Sequence, residues 1–256
     1  MSGVQFVAGI SFTFPIGFRL GRGERTLIVR DLAAFESVHG NTLPVVGQFA
    51  DGSLLSDGGE TLTLINRATA PILSFTYNDG GAWPRGADGS GYSLVLIKPA
   101  SAPDHNHPAS WRSSKLFGGN PSTSDAVSFA SWAAANGVTD PLDDSDGDQL
   151  PAAIEFLLGS DPSSNRSSPT LTTRIESDAG DEFLTFSFQR AVGADDATTS
   201  IEFSSDLEAW SSSPIDTQLI RNERIGAVEI LTVRSRTPVA ESERRFMRLS
   251  ISVPEL

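Results

Sequence analysis

Cysteine is absent from the 256 residues. Disulfides, thiolate metal sites and thiol nucleophiles are thereby excluded, while the redox compartment stays open. Three histidines leave few general bases. No Walker loop, nucleophile elbow or zincin helix occurs. Asp143-Asp144 and Asp195-Asp196 are paired acids, but adjacency in a loop does not make a catalytic pair. No run reaches the roughly 18 apolar residues of a membrane helix. The opening "MSGVQFVAGISFTFP" has neither a basic n-region nor a small-residue cleavage site, so no signal peptide is expected within it. Basic residues number 19 against 32 acidic ones, a net charge of −13. That balance argues against a nucleic-acid partner, whose phosphates need clustered Lys and Arg.

The charge is unevenly spread. Residues 1–121 carry nine bases and nine acids, 122–169 carry one and eight, and 170–256 carry nine and fifteen. The densest acid therefore lies in the middle, where a cation is the natural partner.

Short β-rich runs fill the first part: "VQFVAGISFTFP", "RTLIVRD", "TLTLINR", "PILSFTYND" and "SLVLIKP", parted by Gly, Asp, Asn and Pro turns. "DLAAFESVHG" predicts a short helix, capped by Asp31 and stopped by Gly40. After Pro121 the character changes. "STSDAVSFASWAAANG" predicts a helix with Ser124 as N-cap, Ala126, Phe129, Trp132 and Ala133 on one face, and Gly137 at its end. "PAAIEFLLG" predicts a second helix with Pro151 in its first turn. "DPSSNRSSP" reads as a polar linker that few contacts should cross. "FLTFSFQR", "TSIEFSSD", "AVEILTVRSR" and "RRFMRLSIS" then predict a smaller β-sandwich with Trp210 in its core.

Several motifs of the first part resemble, in order, the bacterial lamin-tail domain. They are Gly59-Glu60 opening a strand, Phe75 to Asp79 ending one, Trp83-Pro84, Asp88 through Leu94, and the closing "SWRSSKLFGGNPS". The resemblance covers about residues 3–121 and implies an immunoglobulin-like β-sandwich. Its usual opening strands have no counterpart here, which leads to the expectation that they precede Met1 in a longer protein and that a sheet edge lies open. Read from the residues alone, Trp83 and Trp111 pack a sandwich end.

"DDSDGDQLPAAIEFLLGSDP" spans residues 143–162. Counted from Asp144, acids fall at positions 1, 3, 5 and 12: Asp144, Asp146, Asp148 and Glu155. Calcium takes six to eight oxygens at roughly 2.3–2.6 Å, and this spacing wraps monodentate aspartates, the Leu150 carbonyl at position 7 and a bidentate Glu155 around one ion. The segment resembles the calcium loops of EF-hands, dockerins and thrombospondin type 3 repeats. Two departures stand out. Position 6, where a glycine is expected, is Gln149, which must take a strained turn. Position 9 is Ala152, without a side-chain oxygen. The same acids also suit a solvated loop that caps a helix N-terminus. Asp104, His105 and His107 form a second, weaker candidate for a transition metal, against which a plain surface loop is favoured.

The expectation is a mainly β protein: a lamin-tail-like sandwich over 1–121, a helix–acidic loop–helix connector over 122–162, a linker over 163–172 and a second sandwich over 173–256. Its expected role is non-enzymatic binding or structure outside the cytoplasm, with weakly held structural calcium, no nucleic acid and no membrane span. The expected partner is a protein or polysaccharide, and the chain is expected to be a monomer or part of a longer polypeptide. The alternative is the accessory C-terminal region of a larger hydrolase or kinase-like protein, docking that enzyme's substrate.

Overall fold

The computed structural model describes residues 1–167, 169–213, 216–241 and 246–256. The described residues are mainly β, with several antiparallel sheets and three short α-helices. In the first part β1 (Gln5–Ala8), β2 (Phe12–Thr13), β3 (Leu27–Val29), α1 (Leu32–His39), β4 (Val45–Gln48), β5 (Gly59–Ile65), β6 (Pro71–Asn78), β7 (Leu94–Leu96) and β8 (Trp111–Ser113) follow in order. One sheet runs β2-β1-β5-β6, while β3 and β4 form a parallel pair and β7 and β8 an antiparallel one. Helix α1 has the predicted ends: Asp31 Oδ1 accepts from the Ala34 amide, and Gly40 takes the left-handed φ of 75° that L side chains resist. The core here is thin, drawing on Val4, Ile10, Phe14, Val29, Phe49 and Trp83. Trp83 and Trp111 lie 6.1 Å apart, ring centre to ring centre, with Phe75 against Trp111, so both tryptophans pack as expected.

The connector carries α2 (Phe129–Asn136) and α3 (Ala152–Leu158). Helix α2 begins four residues later than its pattern predicts. Ser128 is the N-cap, its hydroxyl accepting from the Ser131 amide. The residues after Ser124 are held elsewhere: the Asp125 carboxylate by Arg112 and the Lys115 amide, and the Val127 amide by the Gly193 carbonyl. Phe129 is fully buried and meets Phe156 and Trp132 at 5.4 and 5.9 Å between ring centres. Ala191, Ala194 and Val253 of the last part close over this cluster.

The last part holds β9 (Leu171–Asp178), β10 (Asp181–Ala191), β11 (Thr198–Ser204), β12 (Thr217–Ile225), β13 (Val228–Ser235) and β14 (Phe246–Ser252). A four-stranded sheet, β12-β13-β10-β9, faces the β11–β14 pair. Phe186 and Phe188 stand opposite Val233 and Leu231 in register, and Ile201, Leu219, Met247 and Leu249 pack onto them. Strand β9 starts at Leu171, inside the stretch read as linker, because Leu171 pairs with Phe188. Trp210 is half-buried rather than core: Arg248 lies 4.2 Å from its ring centre. Arg244 and Arg245 of the predicted last strand lie outside the described residues.

The expectation that few contacts cross the polar linker is not met. Arg112 on β8 donates through Nε and Nη2 to Asp195 at 2.6 and 3.0 Å, and through Nη2 to Asp125 at 2.5 Å. The Ser113 amide and hydroxyl both donate to Glu229 Oε1, whose other oxygen accepts from Arg190 at 2.7 Å. Arg224 Nη1 donates to the Ser114 carbonyl at 2.6 Å, and Lys98 Nζ to the Asp196 carbonyl and Thr198 hydroxyl. Burial opposes the Arg112 charge, but Asp195 and Asp125 more than offset it and raise its pKa. Glu229 is cross-strand neighbour to both Arg190 and Arg224, on the face that carries Phe188 and Leu231. The inner face of the second sandwich thus turns from apolar to charged at one end, and β8 docks there.

Candidate metal centre

The acidic loop is closed at its base by backbone. The Ala152 amide donates to the Asp143 carbonyl at 2.8 Å and the Ala153 amide to the Pro141 carbonyl at 2.9 Å. Within the loop, amides hold both oxygens of Asp144 and one oxygen each of Asp146 and Asp148. Asp144 Oδ1 accepts from Gly147 and Asp148, and its Oδ2 from Gln149, at 3.0–3.1 Å. Asp146 Oδ1 accepts from Asp148, and Asp148 Oδ1 from Leu150. These bonds demand a tight wrap. Gly147 adopts φ 77°, and Gln149, where glycine is the expected residue, adopts φ 73°. The strain anticipated at position 6 is therefore present.

The opposite oxygens, Asp146 Oδ2 and Asp148 Oδ2, are buried with no hydrogen-bond partner. Ligand oxygens of Asp144, Asp146 and Asp148 lie within 4.8 Å of one another. Oxygens that share a cation at about 2.4 Å stand no more than about 4.8 Å apart. A donor set made only of carboxylate oxygens suits a hard cation and not a soft one. The three aspartates could therefore hold a metal ion, and two of them present buried oxygens that no hydrogen bond engages.

Glu155 lies beside this set, outside that spacing. It is on the first turn of α3, 1% exposed, with the Ser160 hydroxyl 3.5 Å from Oε1. Burial first, and then the charges of Asp146 and Asp148, push its carboxyl up to about 7 against the opposing Ser160 hydroxyl. Helix α3 ends at Gly159 and is pinned to the second sandwich by Gln189 Nε2, which donates to the Leu158 carbonyl. Leu150 enters the loop through its amide. The Ser160 contact was not legible in the sequence, although "GSDP" directly follows the helix.

His105 and His107 serve structure. The His107 ring nitrogen accepts from the Ala109 amide, the His105 carbonyl accepts from Trp111 Nε1, and Asp104 holds Asn106 through its amide and side chain. Among the described residues, the aspartate trio is the one group of three or more His, Cys, Asp or Glu side chains close enough to share an ion.

The raised Glu155 carboxyl fixes a pH dependence. Between its ordinary value of 4.5 and about 7 the folded chain holds a proton that the unfolded chain has released. Stability from this group is full below about pH 4.5 and is lost as pH rises through about 7. In chelator, moving from pH 5 to pH 8 should cost on the order of 1–3 kcal/mol, read as a lower denaturant midpoint. Glu155→Gln should abolish that slope. An equal slope in Glu155→Gln would place the titration elsewhere.

No family model matches the chain, and neither a curated protein nor a solved structure matches it.

Proposed function

We propose that this chain is a non-enzymatic binding or structural module of an extracellular or cell-surface protein, with a connector held by one structural calcium ion. The observation that carries the reading is the aspartate trio with its two buried, unengaged oxygens. Asp144, Asp146 and Asp148 would hold the ion, and the Leu150 carbonyl and the Glu155 carboxylate, which would have to close in from outside the spacing of the trio, would complete the shell. Calcium would supply charge neutralisation and nothing chemical. The first part would be a lamin-tail-like, immunoglobulin-like sandwich, and its mainly β make-up supports that reading. The partner would be a protein or a polysaccharide.

Location in a calcium-rich medium follows from the expected weakness of the site. Gln149 stores strain and Ala152 adds no oxygen, so a dissociation constant of roughly 10⁻⁴–10⁻³ M is expected, as in extracellular modules. Calcium at ten times that constant should stabilise the chain by about 1.4 kcal/mol, or about 3–6 °C in Tm. The test is thermal melting of the full chain in millimolar calcium against chelator, beside Glu155→Gln. Wild type should shift, and Glu155→Gln should shift less. Identical melts with and without calcium would refute the metal role.

A further inference from the structure

A cleft of about 840 Å³ lies between the two sandwiches. The first part contributes Trp83 and His107 to one wall, and the second contributes the edge of its core, where Phe188, Leu231 and Val233 lie largely covered by Ile201 and Leu219. That size, an apolar floor under a wall of hydroxyl, amide and guanidinium side chains, and a place between two packed units are marks of a site for a polar small molecule. Two polar groups inside it stand out. Asn222 on β12 is 1% exposed, and neither its amide nitrogen nor its carbonyl oxygen has a hydrogen-bond partner. Arg190 places Nη2 on Glu229 but leaves Nε buried and unpaired.

Register explains why these groups face the cleft. Asn222 pairs with Leu231 and Leu231 with Phe188, so all three share the inner face of the sheet. A leucine at 222 would extend the apolar core without interruption. The chain instead carries an amide there that satisfies no internal bond, and buried polar groups of this kind call for a partner.

The chemistry of that partner follows from the donor and acceptor pattern. Asn222 needs a group that donates to Oδ1 and accepts from Nδ2, and Arg190 Nε needs a further acceptor. A carboxylate or phosphate would answer the two donors and set an anion against Asn222 Oδ1. A cation would meet Arg190 and Arg236, with no Asp or Glu among the described lining residues to hold it. Hydroxyl groups both donate and accept, and a pyranose ring adds an apolar face for the edge of the Phe188–Leu231–Val233 core. We infer that the cleft between the sandwiches binds an uncharged glycan end, one or two sugar rings long, recognised by Asn222 and Arg190 Nε. This deepens the binding reading above but uses no residue of the acidic loop, so it and the calcium site stand or fall separately.

Saturation-transfer NMR on the full chain with cellobiose, maltose and N,N′-diacetylchitobiose tests it. Transfer is expected to at least one of them, with affinity reduced at least tenfold in Asn222→Leu. That variant should keep its fold, because an unpaired buried amide is replaced by an apolar group of similar size. Thr199→Trp, at the exposed rim of the cleft, should reduce binding as well, without touching the recognising groups. No transfer from any of the three sugars would overturn the inference. So would transfer unchanged in both variants, preference for benzoate over all three sugars, or a crystal structure grown in 50 mM disaccharide with water alone on Asn222.

Discussion

Replacing Arg112 by alanine should destabilise the chain by about 3–5 kcal/mol. The guanidinium is 1% exposed and lies between two carboxylates whose side chains are 5% and 11% exposed, Asp125 and Asp195. Removing it leaves two buried negative charges without a counter-ion, and that uncompensated burial, more than the lost attraction, is the large term. Asp125 also holds the Lys115 amide, so the damage reaches the turn that leaves β8. Denaturant unfolding should show the midpoint fall with the slope unchanged. Neutralising the trio together, as Arg112→Met with Asp125→Asn and Asp195→Asn, should recover much of the loss, because no charge is then stranded. A change below about 1 kcal/mol in Arg112→Ala would mean that the trio behaves as a solvated surface pair and that the two sandwiches do not dock through it.

A comparable loss, about 3–5 kcal/mol, is expected for Phe129→Ala. Its ring is fully buried between Phe156 and Trp132 and is roofed by Ala194 and Val253 from the far end of the sequence. Four parts of the chain meet at this one side chain, so the cavity left behind has little freedom to collapse. Phe117, 77% exposed, is the control, and its replacement by alanine should change stability by no more than about 0.5 kcal/mol. The position also bears on the metal site. Phe129 supports α3, and α3 carries Glu155, so the calcium-induced rise in Tm should shrink in Phe129→Ala even though no ligand is altered. A full calcium response in a destabilised Phe129→Ala would show that the loop closes without its helical support.

Where the sequence was legible, one local cause dominated. Helix α1 was readable because Asp31 and Gly40 act on their own neighbours. Strands β10 and β13 were readable because their alternation matches a half-buried face. The acidic loop was readable because its acids are spaced for wrapping, and the strain at Gln149 followed from the residue type alone. The start of α2 was missed because Ser124 and Ser128 look equally suitable, and what decides between them is Arg112 and Gly193 elsewhere in the chain. Strand β9 was missed because it is an exposed edge with almost no apolar face, ordered by pairing with β10. The interface was missed for a stronger reason. Arg112, Asp195 and Glu229 carry no local sign of burial, and the contacts they make span 83 and 116 residues of sequence. Asn222 gave no signal either, since a polar residue in a strand looks like an outward one until the bulge between Leu219 and Arg221 sets its direction.

Calorimetric titration of the full chain with calcium at pH 7, in two buffers of different ionisation enthalpy, tests the central claim most directly. One ion should bind per chain with a dissociation constant of roughly 10⁻⁴–10⁻³ M. Glu155, poised at about 7 without metal, should release a fraction of a proton as it binds, making the observed heat differ between buffers. Glu155→Gln should bind more weakly and release none. Absence of any binding heat at millimolar calcium in wild type would contradict the account and reduce the loop to a solvated acidic turn.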